Sequence, residues 1–206
     1  MFTPVDLAAW PRREYFEHYV HRNPCTYSMT VRLDITNVKE KGIRLYPALI
    51  YALATAVNRH EEFRCSIKDG VLGCYERLEP SYTVFHRENE TFSLLWTAYE
   101  PDFSAFLAAY EADLARFGGQ MGFQGKPNLP ENTFDVSMIP WANFEGFNLN
   151  LQQCYDHLRP IFTLGRYEER EGRCTLPLAV QVHHGVCDGY HTCRLVQEVQ
   201  EILDSL

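Results

Sequence analysis

A chain of 206 residues with a 46% apolar fraction has the bulk for one domain with a full core, and no linker-like stretch or internal repeat divides it. Its formal charge of −8, with no basic block to offset it, excludes electrostatic binding to nucleic acid. The longest apolar stretch, near 47–57, is too short to span a bilayer, and the N-terminus lacks the pattern of an export signal, so a cytoplasmic protein is expected.

Seven cysteines without a CxxC pair, in a chain with no secretion signal, point to reduced thiols. The 13 Phe and 12 Tyr supply core volume and could also line a pocket for a flat apolar ligand.

Pro11 opens a helical pattern over residues 11–22, with Tyr15, Phe16, Tyr19 and Val20 on one side and Asn23-Pro24 as the stop. Arg12 and Arg13 sit in its first turn, where the helix dipole disfavours cations. They are either exposed or paired with an acid elsewhere. From Cys25 to Ile35 alternate positions are apolar, the mark of a half-buried strand. A charged loop from Lys39 to Arg44 leads to Pro47, which predicts the first residue of an apolar helix reaching Asn58.

Asp69-Gly70 between Phe63–Ile67 and Val71–Tyr75 predicts a hairpin. Two more strands are expected at Tyr82–Arg87 and Thr91–Ala98. Asp102 then caps a helix from Phe103 to Phe117, stopped by Gly118-Gly119. Residues 118–132 form a long loop of the kind that either covers a site or merely connects. Strand patterns follow at Phe134–Ile139, Phe147–Leu151 and Ile161–Tyr167. A polar turn from Glu168 to Arg173 precedes a strand at Thr175–His183, and a helix from Tyr190 to Leu203 closes the chain. This order predicts an α/β fold, a two-layer sandwich with a mixed β-sheet covered by helices.

The chemistry concentrates where the Thr175–His183 strand ends, at His183-His184-Gly185-Val186-Cys187-Asp188-Gly189-Tyr190-His191. A metal site from His184, Asp188 and His191 needs a helix that Gly185 and Gly189 oppose, and no HExxH pattern is present. A Cys187 nucleophile would sit on a turn whose side-chain directions the sequence leaves open. A general base suits the position better: adjacent strand residues face opposite sides, so one histidine alone enters a given cleft. His184 continues the Leu178, Val180 and Val182 face, and an imidazole titrates near neutrality.

The HHxxxDG spacing of residues 183–189 resembles the signature of the chloramphenicol acetyltransferases, and related forms occur in dihydrolipoamide acyltransferase cores and condensation domains. Trp10-Pro11-Arg12-Arg13-Glu14, Asn23-Pro24-Cys25-Thr26-Tyr27-Ser28, Leu45-Tyr46-Pro47, Ser137-Met138-Ile139-Pro140-Trp141 and Phe147-Asn148-Leu149-Asn150 extend the resemblance along nearly the whole chain. It implies one domain, residues 1–206, that acetylates the 3-hydroxyl of chloramphenicol from acetyl-CoA and so inactivates the antibiotic. His184 is then the base, Ser137 stabilises the oxyanion, and Thr163 holds a water in the transition-state complex. No acetyl-enzyme and no metal are implied.

By the same resemblance Asp188 pairs with Arg12, at a cost on the order of 3–5 kcal/mol if a buried pair is broken, and Tyr19 helps hold the ring of the base. Cys25, Tyr27, Phe92, Leu94, Phe147, Leu149 and Leu151 match residues of the antibiotic pocket. Tyr46, Trp141 and Tyr167 match residues around coenzyme A, with Arg44 and Arg166 placed to meet phosphate. The family forms a homotrimer with its sites at subunit interfaces. Two other readings stay open: an acetyl-CoA-dependent O-acetyltransferase of another small alcohol, and a catalytically silent antibiotic-binding relative.

Overall fold

The computed structural model describes residues 1–151 and 156–206. In chain order the elements are β1 (Phe2–Pro4), α1 (Arg13–Phe16) continuing as a π-helix (Glu17–Arg22), β2 (Thr26–Asp34), α2 (Thr36–Glu40), α3 (Leu45–Arg59), a 3-10 turn (Glu61–Phe63), β3 (Cys65–Lys68) and β4 (Val71–Tyr75). Then come β5 (Glu79–His86), β6 (Thr91–Trp96), α4 (Phe103–Phe117), β7 (Thr133–Ile139), β8 (Ile161–Gly165), β9 (Glu168–Arg170), β10 (Arg173–His183) and α5 (Gly189–Ser205).

The main sheet runs β2-β10-β8-β7-β5-β6, with β9 also on β10, and a small sheet runs β1-β4-β3. β7 lies parallel to both β5 and β8, and the remaining pairs are antiparallel. The expected mixed sheet is therefore present. The longest pairing joins β10 to β2 over Thr175↔Asp34 through His183↔Thr26.

Local chemistry explains several boundaries. Asp69 (φ 51) and Gly70 (φ 76) both take left-handed backbone between β3 and β4, the type I′ geometry that lets two strands turn without splaying. Asp102 caps α4 by accepting the Ala105 N–H at 2.9 Å. Pro47 lies third in α3 rather than first, still within the turn where no N–H has an intrahelical partner. Residues Pro47–Val57 are all buried, so α3 is the middle rod of the helix layer, with α4 and α5 beside it.

The sheet has an apolar and a polar face. Phe162, Leu164, Leu178, Val180 and Val136 alternate onto the face under the helices and are essentially inaccessible. Their neighbours Ser81, Asp135, Ser137, Thr163, Ala179 and Gln181 occupy the other face, since Ser81 pairs with Asp135, Ser137 with Thr163 and Thr163 with Ala179. That polar face carries the candidate site.

The structure departs from the expected elements in several places. Residues 11–22 form a short α-helix followed by a π-helix, not one regular helix. α2 runs to Glu40 and so takes in the first two residues of the expected Lys39–Arg44 loop, β1 was not foreseen, and β9 occupies part of the Glu168–Arg173 turn. Phe147–Leu151 is not a strand: Leu149 gives its N–H to the side-chain Oε1 of Gln181 at 2.8 Å, an acceptor that alternation does not reveal. The 118–132 loop does more than connect. Leu94 N–H donates to Phe123 O at 2.7 Å and Gly125 N–H to Leu94 O at 3.0 Å, stitching this segment onto β6 at the sheet edge.

Candidate active site

The two histidines part company at the end of β10. His183 is completely buried and its Nδ1 accepts the Gly185 N–H at 3.0 Å, which closes the turn. His184 has left the strand and is half-buried, although its N–H still extends the ladder to Cys25 O at 3.0 Å. Tyr19 stacks on its ring with centroids 4.1 Å apart and planes 4° from parallel, and Tyr27 meets it edge-on at 5.3 Å. Tyr19 lies within the π-helix, a winding that recurs at functional sites. Gly185 admits no side chain without crowding, since a Cβ there would lie 3.0 Å from both His183 Nδ1 and Val20 Cγ2.

Charged groups brace this turn. Arg12 Nη1 donates to Asp188 Oδ2 at 2.9 Å, and its Nη2 reaches the His184 carbonyl at 3.5 Å. One guanidinium thus ties the motif acid to the backbone of the candidate base. The neighbouring Arg13 behaves differently, pairing with Glu17 at 2.8 Å on the exposed side of α1. Asp188 is the N-cap residue of α5, and His191 in the first turn lies 2.7 Å from its Oδ1. Burial pushes the Asp188 carboxyl up, but its hydrogen bond to Arg12 and the charges of His191 and Arg12 outweigh burial and hold it below the ordinary carboxylate value. The pair is only partly enclosed, with Asp188 36% exposed, so the cost expected for a buried pair is too high here.

Ser137 on β7 and Thr163 on β8 are register partners, and their hydroxyls lie 3.0 Å apart. Thr163 is 2% exposed, whereas Ser137 is more open. A hydroxyl has one hydrogen. Ser137 Oγ also donates to the Phe162 carbonyl at a long 3.5 Å; if Thr163 gives its hydrogen to Ser137 Oγ, that weak contact alone holds the Ser137 hydrogen, which can turn outward. β5 and β7 pair only as far as Tyr82↔Val136. Just beyond, the Tyr46 hydroxyl lies 3.4 Å from both Thr83 O and Val136 O, and burial pushes that hydroxyl up. Trp141 packs edge-on against Phe85 at 4.6 Å, and both rings are largely exposed. Tyr46 and Trp141 therefore flank the splay beside Ser137.

The remaining candidate donor-side residues are more scattered. Arg44 is engaged with Glu111 at 2.8 Å. Arg166 is exposed, and Tyr167 carries Lys39 Nζ 4.5 Å above its ring.

The candidate acceptor residues do not meet within one chain. Cys25 and Tyr27 belong to the β2 edge, where the Tyr27 hydroxyl turns inward to Thr192 Oγ1 at 2.7 Å and burial pushes it up. Phe92 and Leu94 lie on β6 at the opposite edge, five strand spacings away or about 24 Å. Phe92 is 48% exposed and faces Phe123 of the stitched loop. Leu149 and Leu151 join Tyr27 around an open hollow of about 480 Å³ that also includes Gln181. Phe147 packs on Phe144 at 5.6 Å.

The same arithmetic separates base from hydroxyl. Thr163 stands opposite Ala179, five residues before His184, and Ser137 is two strands from β10. Ser137 and His184 are thus about 19 Å apart in one chain. Sequence reasoning missed His191 and Gln181 as supports of this region. The i, i+3 spacing of Asp188 and His191 was the available sign of a helix-start contact, and nothing local marked Gln181. Among the described residues no group of three or more His, Cys, Asp or Glu could hold a metal ion.

Residues 1–200 match the family model described as chloramphenicol acetyltransferase. A chloramphenicol acetyltransferase of Clostridium perfringens is 57% identical over 206 residues, covering the whole of both chains. One from Campylobacter coli is 53% identical, over 98% of this chain and 99% of the relative. A solved chloramphenicol acetyltransferase superposes with a TM-score of 0.84 at 25% identity, covering 98% of this chain and 100% of the other. A dihydrolipoamide acetyltransferase of Azotobacter vinelandii, at 16% identity and a TM-score of 0.67 over 91% and 84% of the two chains, shares the fold.

Proposed function

The chain belongs to the chloramphenicol acetyltransferase family, and from that premise we propose that it moves an acetyl group from acetyl-CoA to the 3-hydroxyl of chloramphenicol. The reading treats residues 1–206 as one catalytic domain working in the cytoplasm. Among the described residues no helix is long and apolar enough to cross a membrane.

His184 takes the proton of the acceptor hydroxyl as its oxygen attacks the thioester carbonyl, and a tetrahedral oxyanion forms. Ser137 donates its hydrogen to that oxyanion while accepting one from Thr163, a preorganised contact of the kind worth roughly 3–4 kcal/mol. The intermediate collapses, the C–S bond breaks, and the proton on His184 passes to the departing thiolate. The reaction therefore needs a base and an oxyanion donor, but no covalent enzyme intermediate. Tyr46 and Trp141 flank the route of the pantetheine arm to Ser137.

The observation that carries the reading is the division of the histidine pair. His183 spends its Nδ1 on the turn, while His184 is stacked, partly accessible and anchored through its own carbonyl to Arg12. The wide gap between His184 and Ser137 supports a homotrimer in which the base of one chain serves the oxyanion donor and pocket of the next. Its antibiotic pocket would draw on Cys25, Tyr27, Phe92, Leu94, Phe147, Leu149 and Leu151.

Thiol release from acetyl-CoA, measured with and without chloramphenicol, tests the reading. Release dependent on chloramphenicol is expected, together with a product acetylated at the 3-oxygen. Release only with a different alcohol, or chloramphenicol binding without release, would overturn it.

A further inference from the structure

We propose that Cys65 and Cys74 are a thiol-modification site, a pair that closes reversibly into a disulfide and staples β3 to β4. They are direct register partners. Tyr75 N–H donates to Arg64 O at 3.0 Å, so the adjacent Arg64–Tyr75 pair is hydrogen-bonded and Cys65–Cys74 is the non-hydrogen-bonded pair that follows. At such a pair the Cα atoms approach to about 4.5 Å, within the range a disulfide spans. The two Sγ atoms already lie 2.7 Å apart.

Both thiols are buried, but Cys74 lines a hollow of about 700 Å³ between β4 and the N-terminal segment, with Trp10 and Arg64 also on its wall. That hollow is the route for a small oxidant. The oxidant is a low-molecular-weight disulfide such as oxidised glutathione. Cys74 sulfur bonds to one half of it, releases its proton to solvent, and expels the other half as a thiol. Cys65 sulfur then displaces the remaining half, its own proton going to solvent or to the leaving thiolate. Two protein thiols lose two electrons in all, and one oxidant molecule becomes two thiols.

The contact with Cys74, then burial, pushes the Cys65 thiol up, so closure is slow at neutral pH and quickens as the solution becomes alkaline. In a reducing cytoplasm the pair stays open, and it closes when the thiol pool is oxidised. The staple consolidates a sheet whose strand β1 feeds directly into the Trp10–Arg12 stretch.

The test is peptide mapping of the full chain after the folded protein is incubated in a glutathione redox buffer, with a dithiothreitol-treated sample as the control. Trypsin should release the peptide of residues 65–68 joined to that of residues 69–77, two hydrogens lighter than the sum of the free peptides. Thiols titrated under denaturing conditions should fall by two from the seven in the sequence. The oxidised protein should melt about 5 °C higher, a shift absent in Cys65→Ala and Cys74→Ala. Seven titratable thiols after oxidation, a bridge between other cysteines, or glutathione held on Cys74 without the bridge would each overturn the proposal. Because the peptide map is read on the unaltered chain, it stands even if a variant fails to fold.

Discussion

The turn that carries His184 and the strand pair that carries Ser137 place reactive groups by opposite means. Ser137 and Thr163 sit inside a parallel ladder, and their 3.0 Å hydroxyl contact follows from register alone. His184 lies just past the last strand residue, where the ladder no longer fixes direction. Its position depends on side chains instead: the Tyr19 ring, the Tyr27 edge, and Arg12 spanning Asp188 and the His184 carbonyl. Hydroxyl chemistry near the middle of a sheet is geometrically cheap to hold. A base at a strand end has to be braced, and the brace comes from residues 176 positions apart.

Substitutions can break or sharpen this contrast. His184→Ala removes the base itself and should lower kcat by about 10³-fold or more, with acetyl-CoA affinity unchanged. Steady-state kinetics with isothermal titration of acetyl-CoA would check this, and substantial remaining turnover would end the assignment. Ser137→Ala should cost about 10²–10³-fold in kcat with little change in KM. Its effect on stability should stay near 1 kcal/mol, since one good neutral hydrogen bond, to Thr163, and one long contact, to the Phe162 carbonyl, are lost.

Thr163→Val should cost about tenfold if Thr163 acts by turning the Ser137 hydroxyl outward, while the double variant should be no slower than Ser137→Ala alone. Multiplying losses would show that Thr163 works independently of Ser137.

The brace should respond to pH where the hydroxyl pair does not. Asp188 has its carboxyl held below the unfolded value, so its contribution to stability is complete above about pH 4 and is lost as the pH falls through the lower folded value. Arg12→Ala and Asp188→Asn should each cost about 1–2 kcal/mol at pH 7, less than for a fully buried pair. As the pH falls below the unfolded value and through the lower folded one, the gap to the unaltered protein should shrink. Chemical denaturation across pH would test it, and a gap that is constant with pH would separate Asp188 from Arg12.

Local patterns revealed much of this molecule. Alternation found β2 and β10, Asp69-Gly70 found the hairpin, and Asp102 found the start of α4, because each of those signals acts within a few residues. The split between His183 and His184 was also legible, since adjacent residues at a strand end diverge. Elsewhere the deciding partner was distant. Phe147–Leu151 alternates like a strand, yet Gln181, some thirty residues away, takes the N–H a strand would use. Nothing in the sequence indicates that Cys25 and Phe92 stand at opposite edges of one sheet, because strand order is a property of the whole chain. The π-helix under Tyr19 was hidden for a related reason, as helical spacing over two turns fits either winding.

The pairing of β2 with β10 has a consequence for how the protein is made. β2 is complete once residue 34 has been synthesised, but its one strand partner among the described residues spans Arg173–His183. Through most of synthesis the nascent chain therefore carries an unpaired strand, half of it apolar, waiting for its neighbour. Arg12 waits as well, until Asp188 emerges. Such long-range closure slows folding and exposes edges meanwhile. A chain ended before residue 173 loses the strand that joins β2 to the rest of the sheet, together with His184, so premature termination should yield aggregates and proteolysis rather than a folded, inactive fragment.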